Sequence, residues 1–159
     1  GPFEHSDFGT LPMSTESLVV MLREDHPLAI NGEVSITDLA AEPFVLGNDQ
    51  QWDFYRALIG DTLAANGVTP RIAAEAPSLT GILGLVRAGF GITVVPEVMR
   101  SFCPAGLATR PLSDTNSRIT TIAAWRTPAD GTVQAFVDCL AGVISKPRHR
   151  TAAISRRAK

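Results

Sequence analysis

Few side chains in this sequence stand at spacings that do covalent chemistry. His5, His26 and His149 fall in a leader-like stretch, a turn and a tail, and no Gly-x-Ser-x-Gly nucleophile elbow accompanies them. Cys103 and Cys139 lie far apart, outside any metal-ligand spacing. They read as buried or half-buried thiols of a reducing compartment, with a redox switch as the sharper alternative. Gly84 to Gly91 is glycine-rich, but it closes a helix where a dinucleotide fingerprint opens one, and there is no Gly-x-x-x-x-Gly-Lys phosphate loop. No catalytic residue, metal site or cofactor is assigned, and the expectation is a binder rather than an enzyme. The chemistry on offer is hydrogen bonding. Asn48, Gln50 and Gln51 follow a short apolar strand, and Ser78 and Thr80 follow another. Ligands of open α/β sheets sit beyond strand carboxyl ends, beside helix N-termini whose amides and dipole favour an anion such as a carboxylate. These five side chains would add neutral hydrogen bonds there, and Trp52 would wall the cleft. The plainer reading of the same residues is Ser78 as a cap only, Trp52 as core only and 48–51 as a solvated loop.

The elements that must position them are legible from apolar spacing. Residues 75–97 form the most informative stretch. Ser78 is a candidate N-cap, and Leu79, Ile82, Leu83 and Val86 make one helical stripe. Gly89 and Gly91 supply a left-handed stop and a second bend. Ile92 to Val95 is a short apolar strand closed by Pro96. A helix feeding directly into a fully apolar strand predicts a parallel sheet with helices packed on it. Residues 1–16 read as loop, Leu18 to Leu22 as a buried strand, and Ser35 to Ala40 as a short helix with Asp38 completing a near capping box. A strand at Pro43–Gly47 leads through a polar loop at 48–51 to a helix from Trp52 to Asn66. Trp52, Tyr55, Ile59 and Leu63 form its stripe. Further strands are expected at 71–74 and 119–126, and an amphipathic helix at 133–144. The alternation is that of an α/β fold.

The chain has 159 residues, 45% of them hydrophobic, enough for a substantial core. No apolar run reaches the length of a membrane span and no signal peptide is visible, so the expectation is a soluble, cytoplasmic protein with no membrane partner. The formal charge of −2 hides an asymmetry: residues 146–159 carry 6 of the 14 basic residues and no acid. The preceding 145 residues therefore carry −8 and should repel DNA phosphates. The tail reads as a solvated, disordered end or as a weak polyanion contact.

Several segments resemble, in order, the effector-binding domain of LysR-type transcriptional regulators. Val86-Arg87-Ala88-Gly89-Phe90-Gly91-Ile92-Thr93-Val94-Val95-Pro96 is similar to that family's helix-to-strand segment. His26-Pro27-Leu28-Ala29, the Ser35–Leu39 helix followed by Glu42-Pro43-Phe44, and the Asn66–Pro70 corner match further family features, and Leu107–Leu112, with Arg110-Pro111-Leu112, resembles the edge strand that the family places there. The resemblance spans most of residues 17–145. It implies an α/β, periplasmic-binding-protein-like fold of two lobes joined by two crossing strands, with the second lobe complete and the first partial. On that pattern residues 1–34 are a remnant of the first lobe with the outward crossing strand, and 35–117 are the second, effector-binding lobe. Residues 118–145 are the return crossing strand and the C-terminal helix of the first lobe, and 146–159 are the basic disordered tail. The family's N-terminal winged helix-turn-helix, through which the intact protein would bind DNA, is missing from the pattern, as is half of lobe one, so the chain reads as N-terminally truncated. Strand 18–22 and helix 133–144 would then lack sheet partners, and self-association into a homo-oligomer is expected. Carry-over from the family places effector contacts on Gln50, Gln51 and Trp52, with Asn48, Ser78 and Thr80 behind them. The implied function is sensing of a small, anionic metabolite between lobes to control transcription. A solute-binding protein of a transporter shares the fold and is the alternative.

Overall fold

A computed structural model describes residues 6–113 and 118–145. Its chain divides into two compact units. The larger runs from Thr15 to Ile119, and the smaller joins residues up to Ser14 with those from Thr120 onward.

In chain order the strands are β1 (Phe8–Arg23), β2 (Val34–Ser35), β3 (Pro43–Gly47), β4 (Arg71–Ala76), β5 (Thr93–Pro96), β6 (Leu107–Ser113) and β7 (Arg118–Arg126). The α-helices are α1 (Asp49–Ala64), α2 (Leu79–Arg87) and α3 (Gly131–Ile144), with 3-10 turns at Pro27–Ile30, Ile36–Ala41 and Glu97–Phe102.

In the larger unit the later part of β1 is the central strand. It pairs antiparallel with β5 on one side (Val20 opposite Val94) and antiparallel with β6 on the other (Val20 opposite Arg110). β2 adds to β6 in parallel, and β3 and β4 pair in parallel. A parallel bridge between Phe44 and Ile92 ties β3 to β5, with Val45 N–H donating to Ile92 O at 2.8 Å and Ile92 N–H to Pro43 O at 2.8 Å. The sheet is therefore mixed, not wholly parallel as the helix-to-strand pattern predicts. The reason is β1, which enters from the other unit and runs against its neighbours. Two further expectations change with it. Strand 18–22 has partners on both sides, so it exposes no orphaned edge, and β6 is interior with β2 outside it.

Alternation along these strands fills two cores. Leu18, Val20 and Leu22 face one side with Phe44, Leu46, Ile92 and Val94, beneath Ile59 and Leu63 of α1. Val19 and Met21 face the other with Val45 and Val95, beneath Ile82 and Val86 of α2. Both faces of β1 are covered, which is why Leu18–Leu22 reads as an unbroken apolar run. Gly91, at φ +155, is required where the chain enters β5, because a Cβ there would sit 2.2 Å from Pro43 O.

Local signals hold at several turns. Ser35 and Asp38 form the capping box, although the helix they start is 3-10. His26 Nδ1 accepts from Leu28 N–H at 3.2 Å and Nε2 lies 3.3 Å from Glu42 Oε2, a histidine that fastens a turn. Arg110 donates to the carbonyls of Asn31 and Thr109, both at 2.7 Å, and to that of Ala29, so it staples the Pro27–Ile30 turn to β6.

In the smaller unit β1 begins at Phe8, not at residue 17 or 18, and this part pairs with β7. Gly9 and Pro12 hide the strand from a pattern search, yet Gly9 has a reason. A Cβ at that position would lie 2.6 Å from the Trp125 ring of β7. α3 starts where Asp130 accepts from Val133 N–H at 2.9 Å. Its stripe of Val133, Val137, Leu140 and Ile144 is only half-buried, while Phe136 and Val143 are 66% and 62% exposed. Cys139, expected to be at least half-buried, is exposed on α3, and Cys103 is half-buried. His5, His149 and the basic tail lie outside the described residues.

Candidate functional site

The carboxyl ends of β3 and β5 meet the starts of α1 and α2 within the larger unit. β3 ends at Gly47, and α1 begins at Asp49, three residues before the predicted Trp52. The polar segment 49–51 is thus its first turn. Trp52 itself is not helical (φ −127°, ψ 15°). That kink separates it from the stripe to which spacing assigns it. Tyr55, Ile59 and Leu63 pack on one face of the sheet, whereas the Trp52 indole crosses the strand end to the other face.

The indole is fixed from two sides. Its Nε1–H donates to Pro77 O at 3.1 Å, linking the start of α1 to the β4–α2 loop. Gly47 makes room for it: a Cβ there would stand 2.1 Å from Trp52 Cγ. Trp52 and Tyr55 meet edge to face, with ring centroids 6.1 Å apart. The Tyr55 hydroxyl donates to Val94 O at 3.1 Å, and burial pushes its ionisation well above the ordinary phenol range.

These rings wall a cavity of about 240 Å³ lined also by Leu46, Ile82, Val94, Val95 and Met99. Arg56 is the charged residue of the lining, and its guanidinium is engaged through Nε and Nη1. It pairs with Asp49 at 2.6 Å and Glu75 at 2.6 Å, and it donates to Gly47 O at 2.8 Å. Two carboxylates thus face one cation, so the cavity presents no spare positive charge. Arg56 instead ties the first turn of α1 to β3 and β4.

The sequence-predicted residues divide around this cavity. Trp52 lines it. Gln50 and Gln51 are exposed on the first turn of α1, and Thr80 is exposed on the first turn of α2. Ser78 caps α2, accepting from Gly81 N–H at 3.2 Å. Asn48 stands at the N-cap of α1 without a capping bond, and its buried Oδ1 has no hydrogen-bond partner. The five polar residues therefore occupy the two helix starts beside the cavity rather than its walls. Tyr55, Ile82, Val94, Val95 and Met99 also line the cavity, but an apolar residue at core spacing reads as core. The available signal was the Trp52–Tyr55 pair directly after a strand end.

A second hollow of about 160 Å³ lies between β1 and β6, with Glu97 and Arg118 at its rim. Cys103 Sγ donates to Leu107 O at 3.3 Å, and burial together with the Glu24 charge pushes the thiol pKa up. That environment disfavours a reactive thiolate. Among the described residues no group of three or more His, Cys, Asp and Glu side chains could hold a metal ion, and no helix is long and apolar enough to cross a membrane.

Comparison with known proteins converges on one family. The model of the LysR substrate binding domain matches residues 1–145. The uncharacterized HTH-type transcriptional regulator YnfL of Escherichia coli (strain K12) is 37% identical over 82 residues, which is 51% of this chain and 27% of that protein. HinK, a LysR family transcriptional regulator from Pseudomonas aeruginosa, superposes with a TM-score of 0.71 at 26% identity, over 89% of this chain and 51% of that one. The effector binding domain of QuiR, solved in complex with shikimate, superposes with a TM-score of 0.75 over 87% of this chain and 66% of that one. Its 22% identity speaks to the fold alone. This chain spans little more than a quarter of YnfL and half of HinK. With the family model covering most of its length and the α/β fold shared with solved regulators, the chain belongs to the LysR substrate binding domain family.

Proposed function

We propose that this chain is the effector-sensing part of a LysR-type transcriptional regulator and that the cavity walled by Trp52 and Tyr55 receives a small-molecule effector. The cavity carries this reading, because it opens where β3 and β5 end and α1 and α2 begin. The first amides of a helix have no intrahelical acceptor, so a ligand's anionic end gains hydrogen bonds and a favourable dipole at those starts. Asn48, Gln50, Gln51, Ser78 and Thr80 frame them. The QuiR domain's complex with shikimate supports a small effector for this fold. DNA would be contacted through a winged helix-turn-helix domain outside this chain, in the cytoplasm, with the effector biasing an equilibrium between packings of an oligomer. The half-covered stripe of α3, with Phe136 and Val143 exposed, supports association with further apolar surface. The family's relatives are regulators, which favours this reading over a transporter's solute-binding protein.

A thermal melt of the chain against a panel of small carboxylic acids tests the site. A true effector raises Tm in a saturating manner. Leu79→Phe abolishes that rise, since Leu79 lines the cavity and the larger ring fills it. Leu79 is only half-buried, so the variant itself should stay folded. A rise that persists in Leu79→Phe removes this cavity from the site.

A further inference from the structure

We infer that the ligand of this site carries a single apolar ring, and that the ring filling the cavity, rather than a carboxylate, supplies most of the recognition. The inference rests on the sensor reading above and deepens it. Three observations carry it. The walls are apolar or aromatic almost throughout, from Leu46, Trp52, Ile82, Val94, Val95 and Met99. The two largest polar groups of the lining are already engaged: the Tyr55 hydroxyl donates to Val94 O, and Arg56 is held by Asp49, Glu75 and the Gly47 carbonyl. A ligand carboxylate would therefore find the one cation of the lining already paired. The size also fits. A cavity of about 150 Å³ holds benzene, so about 240 Å³ has room for one ring with a short substituent. The edge-to-face pair of Trp52 and Tyr55 offers one aromatic face and one edge to a flat guest, the contacts that aromatic quadrupoles favour.

The test is a titration of the chain carrying Trp125→Phe, so that Trp52 is its sole indole, with fluorescence and calorimetry as readouts. The probes are benzoate, its neutral amide benzamide, acetate and malonate. Benzoate and benzamide are expected to bind within about threefold of each other, and both at least tenfold more tightly than acetate or malonate. Val98→Asp places a carboxylate at the cavity rim, where Val98 is 48% exposed and the fold should tolerate it. It should weaken benzoate at least tenfold and leave benzamide nearly unchanged. Leu79→Phe, which fills the cavity, should weaken both. Acetate or malonate binding as tightly as benzoate, or benzamide falling more than tenfold below benzoate, overturns the inference while the sensor reading stands. Ring binding that neither variant changes lies elsewhere and also overturns it. No binding of any probe, with no Tm rise across the wider acid panel, sinks the sensor reading itself.

Discussion

Gly47→Ala is the smallest change that should collapse the candidate site, and its cost follows from the geometry. The added Cβ would stand 2.1 Å from Trp52 Cγ and 2.5 Å from Trp52 Cβ. Those atoms are the root of the side chain, so no rotation of its far end relieves the overlap. The indole must swing away from the strand end. It then loses the 3.1 Å hydrogen bond to Pro77 O, worth about 1 kcal/mol net. It also gives up its packing against the second core, and forced repacking of this kind costs about 1–3 kcal/mol. Against these stands the stiffening of the unfolded chain, which favours Ala by about 0.4–1 kcal/mol wherever the backbone permits. The net is a loss of about 2 kcal/mol, or roughly 5 °C in Tm for a chain of this length. Gly60→Ala is the internal control. Its Cβ meets nothing within 4 Å, and it lies inside α1, where Ala is preferred by about 1 kcal/mol. The two identical substitutions should therefore move stability in opposite directions. Urea unfolding gives the energies, and emission from a Trp125→Phe background reports Trp52, expected to shift to the red only in Gly47→Ala. If Gly47→Ala matches its parent in midpoint and emission, the indole is not seated as described and the cavity argument fails with it.

Tyr55 is the only tyrosine in the chain, so its ionisation can be followed alone at 295 nm. Burial raises its folded pKa, so above the unfolded value of about 10 the unfolded state releases a proton that the folded state keeps. Stability should fall as pH rises past about 10, by up to about 1.4 kcal/mol per pH unit, and tyrosinate should appear together with unfolding. Tyrosinate forming near pH 10 with intact near-ultraviolet dichroism would contradict the buried hydroxyl. Arg110→Ala leaves three carbonyls of the Pro27–Ile30 turn and β6 without their donor, a loss of about 2–3 kcal/mol in denaturant unfolding. Arg110→Lys should recover less than half of it, because one ammonium cannot reproduce the planar fork.

What sequence reasoning could reach depended on whether a signal was local. The Ser78 cap, the Ser35–Asp38 box and the bends at Gly89 and Gly91 are settled within a few residues, and each stands where spacing puts it. The start of β1 is not local. Gly9 and Pro12 argue for loop, and only the Trp125 ring across the sheet explains why glycine serves there. The direction of β1 is not local either: an apolar run records that both faces are covered, not which way the neighbours run. Trp52 is the sharpest case. Its spacing from Tyr55 and Ile59 fits one helical stripe, but a single non-helical residue sends the indole to the opposite face. Helical periodicity assumes continuous geometry and cannot register that break.

The same limit explains why the polar candidates fell beside the cavity and the apolar ones were passed over. A hydrogen-bonding side chain at a helix start advertises itself by type, whereas Ile82, Val94 and Val95 carry the same letters whether they face a neighbour or a ligand. Thermodynamically, however, the apolar cavity is the more telling feature. Its walls are apolar surface open to water, and burying such surface is favourable by about 25 cal/mol per Å². A ligand that enters this space removes that surface from water in the folded state alone. Its binding then raises stability by RT ln(1 + [L]/Kd), about 2.7 kcal/mol at a hundredfold excess over Kd. A polar anion resting on the helix starts without entering the cavity leaves the apolar walls as they were. Stabilisation should therefore rise, across a ligand series of equal charge, with the apolar volume inserted into this cavity of about 240 Å³. A series in which Tm tracks charge and ignores volume would place recognition at the helix starts instead.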